Sequence, residues 1–143
     1  MSNQGNNQLF VYGSLLSGFK SPAYDYISRY FDLVSPGRVK GLLFDMGEYP
    51  AAVPAEFHDS FIEGELYRIR DEKEFSWAIA QLDDYEGVLV EAGEQPLYRR
   101  DLVQVATDAG SFTAWIYWFN ADVSGRPLIE SGNLLEYINS RKS

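Results

Sequence analysis

The sequence predicts an α+β fold, a small mixed sheet or barrel carrying two or three helices. Three observations lead there. Short apolar runs recur between Gly, Ser, Asn and Pro punctuation, the mark of strands. One stretch, 71–85, spaces its apolar residues as a helix does. The last long apolar run, 112–119, is apolar on both faces, which suits the centre of a barrel or of a sheet covered by helices.

The polar start, Met1-Ser2-Asn3-Gln4-Gly5-Asn6-Asn7-Gln8, predicts a loose segment over 1–8 ahead of one domain over 9–143. Leu9-Phe10-Val11-Tyr12, bounded by Gly13-Ser14, reads as a buried first strand. Pro22 opens a short helix through Tyr24, Ile27 and Phe31, at spacings of three and four. Residues 39–44 form a second strand. Gly47-Glu48-Tyr49-Pro50 is a turn, because Pro50 holds Tyr49 extended. A third strand runs over 61–69, where Gly64 marks a bulge or a close backbone approach. Strands over 97–106 and 112–119 are joined by Thr107-Asp108-Ala109-Gly110-Ser111, a hairpin signal. On the last strand Phe112, Ala114, Ile116 and Trp118 share one side, and Trp115, Tyr117 and Phe119 the other. No internal repeat or linker interrupts the pattern.

Composition narrows the function. The 143 residues are 45% hydrophobic and 23% charged, values of an ordinary folded domain with a real core. Twelve basic against twenty-one acidic side chains give a net charge of −9, which repels nucleic acid and anionic membrane surfaces alike. Tyr98-Arg99-Arg100 is too short to be a basic patch. The absence of cysteine removes disulfides and thiol nucleophiles, and the single histidine, His58, rules out a histidine-built zinc site. The first residues lack the basic and apolar regions of a signal peptide, and no apolar run approaches the ~18 residues of a membrane span. A cytoplasmic protein without metal or cofactor is what these exclusions leave.

The helix over 71–85 ends in acids. Asp71 caps it, with Glu74 completing a capping-box pattern. Phe75, Ala78, Ile79, Leu82 and Tyr85 make one apolar stripe, and Gly87 stands where a left-handed cap would end the helix. On that wheel Glu86 lies about 20° from Phe75 and Ile79 and about 40° from Leu82. Asp84 lies near the opposite face and Asp83 between. Of the three acids, Glu86 alone is aimed at the core. Desolvation and the negative end of the helix dipole then both raise its pKa, toward the range a general acid/base needs. The competing reading is a helix that frays before Glu86 and leaves it solvated.

Other motifs fare less well. Gly13-Ser14-Leu15-Leu16-Ser17-Gly18-Phe19-Lys20-Ser21 nearly spells a P-loop, but Phe19 displaces Lys20 from its place. Ser14 follows a strand, yet Tyr12 and Leu16 stand where a nucleophile elbow needs glycines. A Ser14–His58–acid triad survives on paper. Glu63 and Glu65 share one side of a strand and can bind a hard cation, or simply be solvated acids. The Gly13-Ser14 turn leaves backbone N–H groups that can cradle a carboxylate or oxyanion.

Taken in order, Leu9-Phe10-Val11-Tyr12-Gly13-Ser14-Leu15, Val39-Lys40-Gly41-Leu42-Leu43-Phe44-Asp45 with Gly47, Tyr49 and Pro50, and Glu63-Gly64-Glu65-Leu66-Tyr67 form a recognisable series. Leu82-Asp83-Asp84-Tyr85-Glu86-Gly87, Tyr98-Arg99-Arg100, Ala114-Trp115-Ile116-Tyr117 and Ile129-Glu130-Ser131-Gly132 continue it. The chain thereby resembles the gamma-glutamylcyclotransferase-like superfamily, in its AIG2-like branch. That resemblance implies a small mixed β-barrel flanked by helices, with a pocket at the barrel's end. It implies substrate binding by the loop of Tyr12, Gly13, Ser14 and Leu15, an acid/base at Glu86, and pocket tyrosines at Tyr98 and Tyr117. The family's typical Ser-Gly-Asp-Trp stands here as Ser131-Gly132-Asn133-Leu134.

The reaction implied is an intramolecular aminolysis. The α-amine of a γ-glutamyl amine or peptide attacks its own γ-amide carbonyl, giving 5-oxoproline and a free amine, with no cofactor and no outside nucleophile. A non-catalytic small-molecule-binding module on the same fold is the alternative, and a Ser14 hydrolase a third.

Overall fold

Residues 7–12, 22–46, 50–55, 60–86, 98–120 and 123–141 are described in the computed structural model. In chain order they form β1 (Gln8–Val11), α1 (Pro22–Tyr30), β2 (Phe31–Asp45), β3 (Pro50–Pro54) and β4 (Phe61–Ile69). A 3₁₀ turn (Glu72–Glu74) leads into α2 (Phe75–Glu86), followed by β5 (Tyr98–Thr107), β6 (Gly110–Phe119) and α3 (Leu134–Arg141).

Five strands close into a mixed barrel in the order β2-β4-β1-β6-β5, with β5 returning to β2 at Arg38↔Ala106. The β1–β6 pairing, at Leu9↔Trp115, is parallel, and the other pairings are antiparallel. β3 pairs with residues 41–45 of β2.

Strand alternation splits the buried residues into two layers. Phe10, Val39, Ile62, Leu66, Val105, Ala114, Ile116 and Trp118 come from all five barrel strands and fill the interior. Leu134, Tyr137 and Ile138 of α3 pack onto this inner layer. The neighbouring positions Leu9, Val11, Tyr67, Ile69, Tyr117 and Phe119 face outward, and there they meet Ile27 of α1 and Ala78, Ile79 and Leu82 of α2. This accounts for the two apolar faces of β6: one fills the barrel and the other carries helices.

Several expectations need correction. β1 starts at Gln8, inside the segment read as loose. β2 runs fifteen residues, not six. Its first half was hidden by mostly exposed side chains and by Pro36-Gly37, beside a register shift between Leu33 and Ser35. Such residues argue against a strand unless a bulge accommodates them. β3 was missed for a similar reason, since prolines stand at both its ends, and its place at one end of the strand order makes them tolerable. Residues 47–49 of the expected turn lie outside the described residues. The hairpin loop tightens to Asp108-Ala109, because the strands pair as far as Thr107↔Gly110. Asp71 caps as expected, accepting from the Lys73 N–H at 3.0 Å, but the first turn is 3₁₀ and the α-helix begins at Phe75.

Two glycines are demanded by contact. A Cβ on Gly64 would lie 2.1 Å from the Val11 carbonyl oxygen, the close approach expected there. Gly132 has φ +68°, and a Cβ on it would fall 1.9 Å from the Phe61 carbonyl oxygen. Its own carbonyl accepts from the Glu63 N–H at 2.7 Å. Next to it, Asn133 Oδ1 accepts from the Glu136 N–H at 3.0 Å and caps α3, and Leu134 is buried. Asn133 and Leu134 thus supply a cap and an apolar anchor at the start of α3.

Candidate active site

The end of β1 and the last turn of α2 converge on one residue of β6. Alternation turns Phe10 and Tyr12 inward, and the buried Tyr12 donates its hydroxyl to the Tyr117 carbonyl. The Tyr117 side chain points the other way, toward α2, and donates its hydroxyl to Asp83 Oδ1 at 2.9 Å. Asp83 also accepts two bonds from Arg100, Nε to Oδ1 at 2.7 Å and Nη2 to Oδ2 at 3.0 Å. Arg100 lies directly across from Tyr117 in the β5–β6 ladder, so the two side chains share one face. Its guanidinium carbon stands 4.3 Å from the Trp115 ring centroid, a cation–π contact.

Tyr98 sits on the same face, opposite Phe119. Their rings meet edge to face at 5.5 Å, and the Tyr98 hydroxyl donates to the Pro50 carbonyl at 2.9 Å. The hydroxyl protons of Tyr12, Tyr98 and Tyr117 are therefore all engaged within the protein.

The electrostatics follow from the sequence of α2. Its last turn holds Asp83, Asp84 and Glu86 and no basic residue, an unfavourable load at the negative end of a helix dipole. Arg100 brings the opposing charge from β5. The Asp83 side chain is 8% exposed and that of Arg100 23%, so this forked pair is partly shielded from bulk water.

The expected site residues divide accordingly. Tyr98 and Tyr117 share one outward face, and Tyr12 is tied to Tyr117 from within the barrel. Glu86 is the final residue of α2, four after buried Leu82 and seven after buried Ile79, so the helix does not end before it. The Glu86 side chain, and Gly13, Ser14, Leu15 and His58 entirely, lie outside the described residues. Glu65 is half-buried and accepts from the Tyr67 hydroxyl at 3.0 Å.

Asp83 overturns one expectation. The helical wheel aims Glu86 alone of the three acids at the core, yet Asp83 is 5% exposed. A helical wheel registers only the apolar stripe, and Asp83 is drawn in by an arginine seventeen residues further along the chain. The available signal was strand alternation: Arg100 occupies the same face as Tyr98, an apolar wall that a lone cation enters only with a partner.

The chain matches the family model for gamma-glutamyl cyclotransferase, AIG2-like, over residues 9–136. It is 33% identical over 129 residues to the gamma-glutamylcyclotransferase family protein ytfP of Citrobacter rodentium, covering 90% of this chain and 96% of that protein. The solution structure of ytfP from Escherichia coli is similar with a TM-score of 0.61 at 32% identity, over 92% of this chain and 98% of that one. The crystal structure of YkqA from Bacillus subtilis gives a TM-score of 0.71 at 27% identity, over 96% of this chain. This chain spans 43% of the YkqA chain, less than half its length. With the match running from β1 into α3, the chain belongs to the gamma-glutamylcyclotransferase family in its AIG2-like form.

Proposed function

We propose that the protein is a gamma-glutamyl cyclotransferase-type enzyme that cyclises a γ-glutamyl amine or peptide to 5-oxoproline and releases the free amine. The observation that carries this reading is the chain of bonds from Tyr12 to Tyr117 to Asp83. It ties the strand end that precedes Gly13-Ser14 to the helical turn that ends at Glu86. Family membership supports the same chemistry.

In this reading Glu86 takes a proton from the substrate's α-ammonium. The freed amine attacks the γ-carbonyl carbon, and a new C–N bond closes the five-membered ring. As the old amide C–N bond breaks, Glu86 returns that proton to the leaving nitrogen, and the second proton, shed by the ring nitrogen as it becomes a lactam N–H, passes the same way, so the amine departs as its ammonium. The backbone N–H groups of Gly13, Ser14 and Leu15 hold the substrate carboxylate or the forming oxyanion. Tyr98 and Tyr117 form the wall that faces α2, Tyr12 braces that wall from within the barrel, and their internal bonds keep it rigid. Folding the flexible substrate so that amine and carbonyl meet supplies much of the acceleration, since effective molarities of such pairs reach about 10⁵ M or more.

The test is 5-oxoproline release from a panel of γ-glutamyl amines and peptides, with γ-glutamyl methylamide as its smallest member. Glu86→Gln is expected to abolish release while circular dichroism and thermal midpoint stay as in the parent. Full activity in that variant overturns the reading. Ligand-induced stabilisation without product, across the panel, favours a binding module instead.

A further inference from the structure

We propose that Asp83, gripped by Arg100 and Tyr117, is a positioning residue that fixes the last turn of α2 against the β5–β6 wall and so sets where residue 86 stands. The catalytic half of this inference rests on the function proposed above; its structural half does not.

Helix ends fray, and a helix that finishes in acids frays more readily because its dipole opposes them. α2 has no basic residue of its own in the last turn. What holds it is three bonds to one carboxylate, arriving from two strands: two from Arg100 on β5 and one from Tyr117 on β6. The fork fixes orientation as well as distance, because both guanidinium bonds must lie near the carboxylate plane. Trp115 braces the guanidinium from its face, so the donor is itself held in place.

Stability alone would not call for this arrangement. A partly buried ion pair loses hydration that apolar packing would not, and gives geometric definition in return. The end of α1 shows the contrast. There Arg70 donates to the carbonyls of Ser28 and Arg29 and to Asp32, in a cluster exposed to solvent. That arginine caps a helix. Arg100 instead grips a side chain three residues, less than one turn, before residue 86. A shift of about 1 Å at a reacting group can lower a rate by about 10²-fold, so a loosened turn should be felt in turnover.

Two variants test the clamp: Asp83→Asn, which keeps the shape and removes the charge, and Arg100→Lys, which keeps the charge and removes the fork. Hydrogen exchange of the full-length protein is read over 82–86 and over β1 and β4. Exchange over 82–86 is expected to rise about tenfold or more in each, with β1 and β4 as protected as in the parent. With γ-glutamyl methylamide, kcat is expected to fall by about 10 to 10²-fold while KM stays within about twofold. Unchanged exchange over 82–86 overturns the proposal, as does exchange rising equally in β1 and β4, which would make the pair merely structural. An unchanged kcat beside a loosened turn removes the positioning role. Should Glu86→Gln keep full activity, the function falls while the exchange result still decides whether the clamp exists.

Discussion

Tyr117 acts through two atoms at once: its carbonyl receives the Tyr12 hydroxyl and its own hydroxyl reaches Asp83. Tyr117→Phe separates them, because the carbonyl stays and one of three bonds to a buried carboxylate goes. We expect a loss of about 1–2 kcal/mol, read as a lower urea midpoint at unchanged slope. A midpoint equal to the parent's would show that the bond carries no stability. At this scale the candidate site is partly legible: Tyr12, Tyr98 and Tyr117 enter through the family pattern, and Glu86 through that pattern and the apolar stripe of its helix. Asp83 and Arg100 were not legible as a pair, because each is a polar residue whose burial depends on the other across two elements. Only the tertiary structure brings those two elements together.

The elements differ in how plainly their sequences announce them. α2 and β6 were readable because their apolar spacing is strong and their punctuation clear. β3 and the first half of β2 were not, since Pro and Gly within them signal turns and only pairing to neighbouring strands makes them extended. The sequence does not announce α3 beyond the Ile129-Glu130-Ser131-Gly132 motif, and the helix's shape shows why. Its apolar stripe, Leu134, Tyr137 and Ile138, is little more than one turn long, and Gly132 and Asn133 define the start by backbone conformation and a side-chain cap. Asn133→Ala should cost about 1 kcal/mol, the usual loss of an N-cap. Gly132→Ala should cost more, about 2–4 kcal/mol, because it adds strain at positive φ to a collision with the Phe61 carbonyl. Thermal unfolding of both variants checks the ranking. A Gly132→Ala protein as stable as the Asn133→Ala one would mean that the segment 131–133 can move off β4 without penalty.

At the scale of the whole molecule, the closed sheet is a shared wall. Every barrel strand offers one row of side chains to the interior, while β1, β4 and β6 offer alternate rows to α1 and α2. Neither layer can lose its packing without exposing the back of the same strands, so the two should melt together. Ile62 belongs to the inner layer and Ile79 to the outer, and both are buried. Truncating either to alanine leaves a cavity and should cost about 2–4 kcal/mol. Tryptophans report on both sides, with Trp118 inside and Trp115 half-buried outside beside Arg100. Fluorescence and far-ultraviolet circular dichroism should therefore give one coincident urea transition in the parent, in Ile62→Ala and in Ile79→Ala. Split midpoints in Ile79→Ala alone would show α1 and α2 detaching from an intact barrel. The wall that carries Tyr98, Arg100 and Tyr117 would then stand without the helix that brings Asp83 to it.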